Sequence, residues 1–306
     1  MARQSTILIT GGAGFIGASL GRALLARGHT VIGYDLVSPE NAAFPIIAGD
    51  IRDAGALTAL CKTYNIERIV HGGGVSGRSV SRSDPSGTID INVMGTVAVL
   101  EAATKQKVCK VVLCSSGSVY GRSKDALVTE HTSVEPVNAY GASKVAAEAV
   151  LNAYRAEHGL DGIALRIFQA YGPHRQTRCT IRTMVLAAAQ GKVADLPFGA
   201  EARLQYVYID DVVAALASAI LSDPLPEIAY NIPGACTLTL GEAADIAARV
   251  LPGLKVHFGD SSLTREYSLT DVDYSPAARD LGYKPQFDLA RGIRAYVNEL
   301  GSSSGE

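Results

Sequence analysis

Long apolar runs are missing from this 306-residue chain: no segment approaches the roughly 18 uninterrupted apolar residues that a bilayer-spanning helix requires. The stretch Met1–Thr10 passes from a few polar residues into a buried-type strand, without the apolar core and cleavage signature of a signal peptide. Cysteine is sparse too. Cys61, Cys109, Cys114, Cys179 and Cys236 form an odd set with no CxxC pair, which argues against a disulfide framework or zinc site and for reduced thiols in the cytoplasm. Charge of one sign is lacking: the formal net charge is −2, so no global field draws the chain to nucleic acid or an anionic membrane. His71 and His174 have no partner cluster at metal-site spacing; both read as structural hydrogen-bonding residues, and no metal is expected. What is present is 47% hydrophobic and 19% charged residues, the balance of an ordered globular protein.

Through the first half, short apolar runs alternate with helical periodicity. The pattern predicts strands at Thr6–Thr10, Thr30–Tyr34, Pro45–Ala48, Arg68–His71, Lys110–Ser115 and Gly162–Ile167. It predicts helices at Phe15–Arg27, Ala54–Tyr64, Thr88–Lys105 and Ala139–His158. Continuous apolar strands separated by helices imply an α/β, doubly wound parallel sheet of Rossmann type, covered on both faces. After Arg166 proline and glycine become frequent, and further helices are expected near Ile181–Gly191, Val212–Leu221 and Leu240–Val250. The expected division is a cofactor domain over 1–170, with 205–222 returning to it, and a smaller C-terminal substrate-binding portion over 171–300. A frayed tail is expected at 301–306.

Thr10-Gly-Gly-Ala-Gly-Phe-Ile-Gly17 lies between the first strand and the first helix, with Gly11, Gly14 and Gly17 at GxxGxxG spacing. Gly11 allows the tight turn, Gly14 the approach of a pyrophosphate, and Gly17 close packing of helix on strand. Asp35 follows 18 residues after Gly17, near the spacing of about 20 at which a carboxylate accepts the ribose hydroxyls of NAD and repels the extra phosphate of NADP. Asp50 and Ile51, after the third strand, are placed either to meet the adenine or to serve as a simple turn or cap.

Tyr140 and Lys144 sit at i and i+4 on one helical segment, so the ammonium can lie beside the phenol. A nearby ammonium favours phenolate and suits a tyrosine to proton transfer. Lys144 can also bond the nicotinamide ribose. The strand before it ends Cys114-Ser-Ser-Gly-Ser118, which delivers hydroxyls: Ser116 is the candidate for a substrate oxygen, whereas Ser115 and Ser118 suit turn or cap roles.

These motifs, with Asn92-Val-Met-Gly-Thr96, Tyr171-Gly-Pro173, Tyr206-Val-Tyr-Ile-Asp-Asp211 and Leu281-Gly-Tyr283, resemble the extended short-chain dehydrogenase/reductase family in its NAD-dependent epimerase/dehydratase branch. The resemblance runs over nearly the whole chain. It implies catalysis by Ser116, Tyr140 and Lys144, and a cofactor cradle that includes Phe15, Ile16 and Asn92. It also implies a homodimer packed through the helices near Thr88–Lys105 and Ala139–His158.

Three departures from the family pattern stand out. His71-Gly-Gly-Gly74 replaces the usual His-Leu-Ala-Ala; the backbone of Gly72 and Gly73 still suits the cofactor, the added glycines are expected to widen the site, and uronate dehydrogenases of the superfamily are similarly glycine-rich here. Gln169 stands where sugar epimerases often carry asparagine. Gly117-Ser118 replaces the Asp-Glu pair of dehydratases, so water elimination lacks its acid and base. Ser118 and Gln169 are carried forward as candidate substrate contacts.

Arg78, Arg82, Arg175, Arg178, Arg182 and Arg203 as a group hint at an anionic substrate, although each singly reads as a solvated surface charge; Arg178, Arg182 and Arg203 are the candidates kept. The expected function is a nucleotide-sugar (UDP-sugar) 4-epimerase working by transient oxidation to a keto sugar. A net NAD-dependent dehydrogenase of a free sugar or sugar acid is the second reading, and a non-catalytic NAD-binding regulator the third.

Overall fold

The computed structural model describes residues 4–121, 123, 125–260 and 270–303. Its first elements are β1 (Thr6–Thr10), α1 (Phe15–Ala26), β2 (Thr30–Asp35), β3 (Ile46–Ala48), α2 (Ala54–Thr63) and β4 (Arg68–His71). Ile7, Leu8 and Ile9 are buried in succession rather than alternately, because helices cover both faces of the sheet. There follow α3 (Arg78–Ser83), α4 (Pro85–Ile89), a π-helical turn at Asp90–Met94, α5 (Gly95–Lys105) and β5 (Lys110–Ser116). Next come β6 (Leu127–Val128), α6 (Ala139–His158), β7 (Gly162–Ile167) and β8 (Gln169–Tyr171). The second half contributes α7 (Thr180–Ala189), β9 (Val193–Leu196), β10 (Arg203–Tyr208), α8 (Ile209–Leu221), β11 (Ala229–Ile232), β12 (Thr237–Thr239) and α9 (Leu240–Val250).

Seven parallel strands form the central sheet in the order β11-β7-β5-β4-β1-β2-β3. The chain winds from β1 outward through β2 and β3, then returns past β1 to β4 and onward. The reversal opens a crevice at the carboxyl ends of β1 and β4, where the Gly11 turn and the Gly72–Gly74 run lie. The expected Rossmann-type sheet is therefore present.

The division expected near residue 170 is crossed more than once. β10 joins β8 and β12 in a separate three-stranded sheet, α8 packs on α1, β4 and β5, and β11 supplies an edge strand of the large sheet. One apolar core runs from Ile9 and Leu20 through Val112 to Leu216, Ala247 and Ile293. Asp211 ties the last segment down, its carboxylate accepting from the backbone N–H groups of Gln286 and Phe287 at 2.9 and 3.1 Å.

Two elements depart from expectation. The helix expected over Thr88–Lys105 starts earlier, where the Asp84 carboxylate accepts from Gly87 N–H at 2.8 Å and Pro85 occupies the first turn, and a π-helical turn then interrupts it. The tail expected to fray from 301 is helical through Ser303, in the helix Leu289–Ser303; residues 304–306 lie outside the described residues.

His71 locks β4 to its neighbours. Its Nδ1 lies 2.7 Å from Thr10 Oγ1 and its Nε2 3.1 Å from Thr96 Oγ1. The Thr96 hydroxyl donates to the Asn92 carbonyl oxygen at 2.7 Å, so the ring proton sits on Nε2 and Nδ1 accepts from Thr10. Burial, with a lesser contribution from the Lys144 charge, pushes the His71 pKa down to about 3. The unfolded chain, with a histidine pKa of about 6.5, takes up the proton more readily. This contribution to stability is complete above pH 6.5 and is lost as pH falls toward 3. The melting temperature is expected to drop between pH 7 and pH 4, and the slope to flatten in His71→Asn; equal slopes by scanning calorimetry would remove His71 from the acid transition.

Candidate active site

The turn after β1 forms because Gly11 has φ +71°, a left-handed conformation that glycine adopts without penalty. A Cβ there would lie 2.8 Å from Gly72 C and Gly73 N, so the two glycine segments meet backbone to backbone. At Gly17 a Cβ would lie 2.1 Å from the Gly11 carbonyl oxygen. Gly14 caps α1 without a side-chain bond, and the first turn holds no acid, so the helix presents unpaired N–H groups and its positive end to a phosphate. Asp35 ends β2, and its Oδ2 accepts from Ala13 N–H at 3.1 Å, which fixes the carboxylate beside the turn. This cradle fits a dinucleotide: a pyrophosphate needs the uncapped helix end and side-chain-free backbone, and a ribose needs the acid.

The other cradle candidates hold more varied places. Phe15 and Ile16 open α1 half-buried. Ile51 is buried beneath the glycine run, 2.9 Å from where a Cβ on Gly73 would lie. Asp50 is gripped by Arg52, whose guanidinium also reaches Asp90 at 2.5 Å, and those hydrogen bonds hold the Asp50 carboxyl below its usual range. Asn92 sits on the π-helical turn with its amide engaged within the chain: Oδ1 accepts from Val75 N–H at 2.8 Å, while Nδ2 donates to the Val75 carbonyl and to Ser143 Oγ. It braces the loop after β4 against α6, the helix Ala139–His158.

α6 begins where the Asn138 side chain accepts from Gly141 N–H at 2.8 Å, and ends at Gly159 in the left-handed region. Tyr140 and Lys144 share its first two turns, with Lys144 Nζ 5.9 Å from the Tyr140 ring centroid and 2.8 Å from the Cys114 carbonyl oxygen to which it donates. The Cys114 thiol beside it is pushed up to about 11 by burial, so it stays protonated. β5 runs one residue further than expected, through Ser116, and a 3₁₀ turn at Gly117–Tyr120 follows. Ser116 Oγ accepts from Ser118 N–H at 3.1 Å, which leaves its own proton to donate.

In the second half, Gln169 opens β8 half-buried and Arg182 lies in the first turn of α7, also half-buried. Arg178 is exposed and donates to the Asp195 carbonyl oxygen at 3.0 Å. Arg203 lies 3.6 Å from Asp271. Arg175 donates to the Ala170 carbonyl and Arg82 is exposed; the Arg78 side chain lies outside the described residues. His174 pairs with Glu299 at 2.8 Å. No group of three metal-ligating side chains occurs, and no helix is long and apolar enough to cross a membrane, among the described residues.

Sequence reasoning missed Glu148 and Arg166. The Ser115 hydroxyl, read as a turn or cap group, donates instead to Glu148 Oε1, and Arg166 grips Glu148 from its other side at 2.7 Å. The signal was the i, i+4, i+8 spacing of Tyr140, Lys144 and Glu148, which puts a carboxylate on the face that carries the Tyr–Lys pair.

A parallel sheet with an uncapped glycine turn, an acid at the end of β2 and a Tyr–Lys pair on a helix defines the class of Rossmann-type NAD-dependent oxidoreductases. The chain belongs to the NAD-dependent epimerase/dehydratase family, whose model matches residues 7–232. It is 34% identical to the UDP-glucose 4-epimerase of Mycolicibacterium smegmatis over 306 residues, spanning 95% of this chain and 96% of that protein. It is 28% identical to the UDP-glucuronate 4-epimerase of Thermodesulfobacterium geofontis, over 95% of this chain and 94% of that one. Among solved structures, MoeE5 in complex with UDP-glucose and NAD matches with a TM-score of 0.87 and 26% identity, over 98% of this chain and 99% of that one. The UDP-glucose 4-epimerase of Thermotoga maritima shares the fold with a TM-score of 0.89 at 24% identity, over 98% and 99%.

Asp35→Ala removes both the partner of Ala13 N–H and the carboxylate expected to accept the ribose hydroxyls. NAD affinity measured by calorimetric titration is expected to fall about 10–100-fold, the range for a lost hydrogen bond to a charged group. Undiminished affinity would show that the carboxylate does not read the ribose.

Proposed function

We propose that the protein is a nucleotide-sugar 4-epimerase acting on a UDP-sugar through transient oxidation to a 4-keto sugar. The observation that carries this reading is the 34% identity, over nearly both full lengths, to a UDP-glucose 4-epimerase. NAD supplies a hydride acceptor and donor when bound. In this reading the Tyr140 oxygen takes the proton of the sugar hydroxyl and later returns it. The Lys144 ammonium, held by the Cys114 carbonyl, favours the negative charge on that oxygen. The Ser116 hydroxyl donates to the same substrate oxygen and orients it. Ser118, Gln169 and Arg182 are the further groups proposed to face the sugar nucleotide. Gly117 and Ser118 carry no acid or base, which speaks against a dehydratase.

A second reading, net dehydrogenation of a free sugar or sugar acid, draws support from two arginines. Arg178 and Arg203, candidates for an anionic substrate group, are already engaged with the Asp195 carbonyl oxygen and the Asp271 carboxylate, where a nucleotide sugar would bring a diphosphate. The two readings share the proton transfer at Tyr140 and differ in whether reduced cofactor accumulates. The expected result is conversion of a UDP-sugar to its 4-epimer, read by chromatography, with no net absorbance at 340 nm. Sustained NADH formation with a free sugar or uronate would replace the epimerase with the dehydrogenase. In either assay Tyr140→Phe is expected to lower turnover about 10²–10⁴-fold, and unchanged turnover would remove Tyr140 from the mechanism.

We place the enzyme in the cytoplasm, on its five free cysteines, and infer a homodimer. Ile89 and Met94, 38% and 50% exposed on the segment that packs beside α6, support a partner on that face. Light scattering is expected to give twice the 32.0 kDa chain mass, and a monomer mass would refute the dimer.

A further inference from the structure

The groups proposed for proton transfer hang on two elements, the carboxyl end of β5 and the first half of α6, and two adjacent cross-links join them. At the first, Lys144 Nζ donates to the Cys114 carbonyl oxygen at 2.8 Å. At the second, the Ser115 hydroxyl donates to Glu148 Oε1. Cys114 and Ser115 are consecutive on the strand, while Lys144 and Glu148 are one helical turn apart. The two links therefore form neighbouring rungs that set both the height and the rotation of α6 over the strand.

The second rung is anchored from behind. Arg166 stands opposite Ser115 in the β5–β7 register. Its Nε and Nη2 donate to Glu148 at 3.1 and 2.7 Å, a forked contact between side chains only 9% and 15% exposed. Its Nη1 donates to Tyr120 Oη at 2.7 Å and to the Glu130 carbonyl oxygen at 2.9 Å. Tyr120 closes the 3₁₀ turn that leaves Ser116, and its hydroxyl donates to Asn231 Oδ1 at 2.7 Å on the edge strand β11. Asn231 N–H in turn donates to Glu130 Oε1 at 2.8 Å. Burial pushes the Tyr120 phenol up to about 12, so it keeps the proton that this chain of bonds requires.

One buried guanidinium thus touches the helix of Tyr140 and Lys144 and the turn of Ser116, and joins both to the sheet edge. A buried ion pair contributes little net stability over apolar packing, because desolvation offsets the attraction. Its value here lies in directional constraint.

We propose that Ser115, Glu148 and Arg166 form a positioning assembly that fixes Ser116 relative to Tyr140 and Lys144, and so governs the rate of the chemical step rather than the binding of substrate or cofactor. The proposal rests on the reading of Tyr140 as the proton-transfer group. None of the three is a catalytic residue; they act through the groups they hold.

Two variants test it. Ser115→Ala removes the strand-to-helix rung and leaves the ion pair. Arg166→Lys keeps the charge and loses the fork. In both, kcat on the substrate that the wild-type enzyme turns over is expected to fall about 10–100-fold, as for a displacement of about 1 Å at a reacting centre. KM and the NAD dissociation constant are expected to stay within about twofold. Amide hydrogen exchange, followed by mass spectrometry, is expected to rise in segments 114–121 and 139–148 and to remain at wild-type rates in β1 and α1. Turnover and local exchange both at wild-type levels in the folded variants would overturn the proposal. So would a loss of turnover matched by loss of NAD-binding protein, the mark of a purely structural role. Should Arg166→Lys fail to fold, Ser115→Ala decides alone. The exchange measurement needs no substrate, so a wild-type enzyme that leaves every UDP-sugar untouched sinks the epimerase reading only, and exchange still decides the positioning role.

Discussion

A Cβ at Gly17 would stand 2.1 Å from the Gly11 carbonyl oxygen, and its absence is what lets α1 begin directly above the end of β1. The cofactor half follows from that approach. With the helix seated there, its uncapped N–H groups face the crevice between β1 and β4, and Ala13 comes within 3.1 Å of the Asp35 carboxylate. The glycine run after β4 then meets the same turn through backbone alone. A side chain at Gly11 or Gly17 would force these backbone segments apart and undo the approach.

Burial also sorts the ionisable groups around the proposed proton-transfer pair. His71 and Cys114 are driven in opposite directions, one to about 3 and the other to about 11, and both are thereby neutral at physiological pH. Lys144 lies beside Tyr140 with its ammonium aimed by a backbone carbonyl, and among the described residues no carboxylate forms an ion pair with it. The nearest acid on its helix face, Glu148, is committed to Arg166 and Ser115.

Much of this was legible in the amino-acid sequence. Apolar runs such as Ile7–Ile9 and Val111–Leu113 mark strands buried on both faces, and the limits of β4, α6, β7 and α9 match their patterns. Gly11, Gly17 and Asp35 announce their places because each depends on local geometry: a turn, a close approach, a strand end. What could not be read depends on contacts between distant segments. The π-helical turn at Asp90–Met94 exists because Asn92 reaches both Val75 and Ser143, partners 17 and 51 residues away. The engagement of Arg203 with Asp271 is equally remote, whereas its exposure was all that its sequence neighbourhood conveyed.

The edge strand β11 carries a cost in time. Residues Ala229–Ile232 close the large sheet beside β7, some sixty residues upstream, after the chain has laid down β8 and β10 of the second, three-stranded sheet on the way. A ribosome that has released β1 to β7 has delivered the whole glycine cradle and both groups of the Tyr–Lys pair, yet the sheet edge beside them is still bare. Parallel pairing over such separations is slow, and an unpaired apolar edge invites association with other chains until its partner arrives. The wait ends with β11, and Asn231 enters on that same strand to bond Tyr120 and Glu130. Completing the sheet and securing the turn next to Ser116 are thus a single late event, so a nascent chain has its glycine cradle in hand well before the geometry proposed for proton transfer is secured.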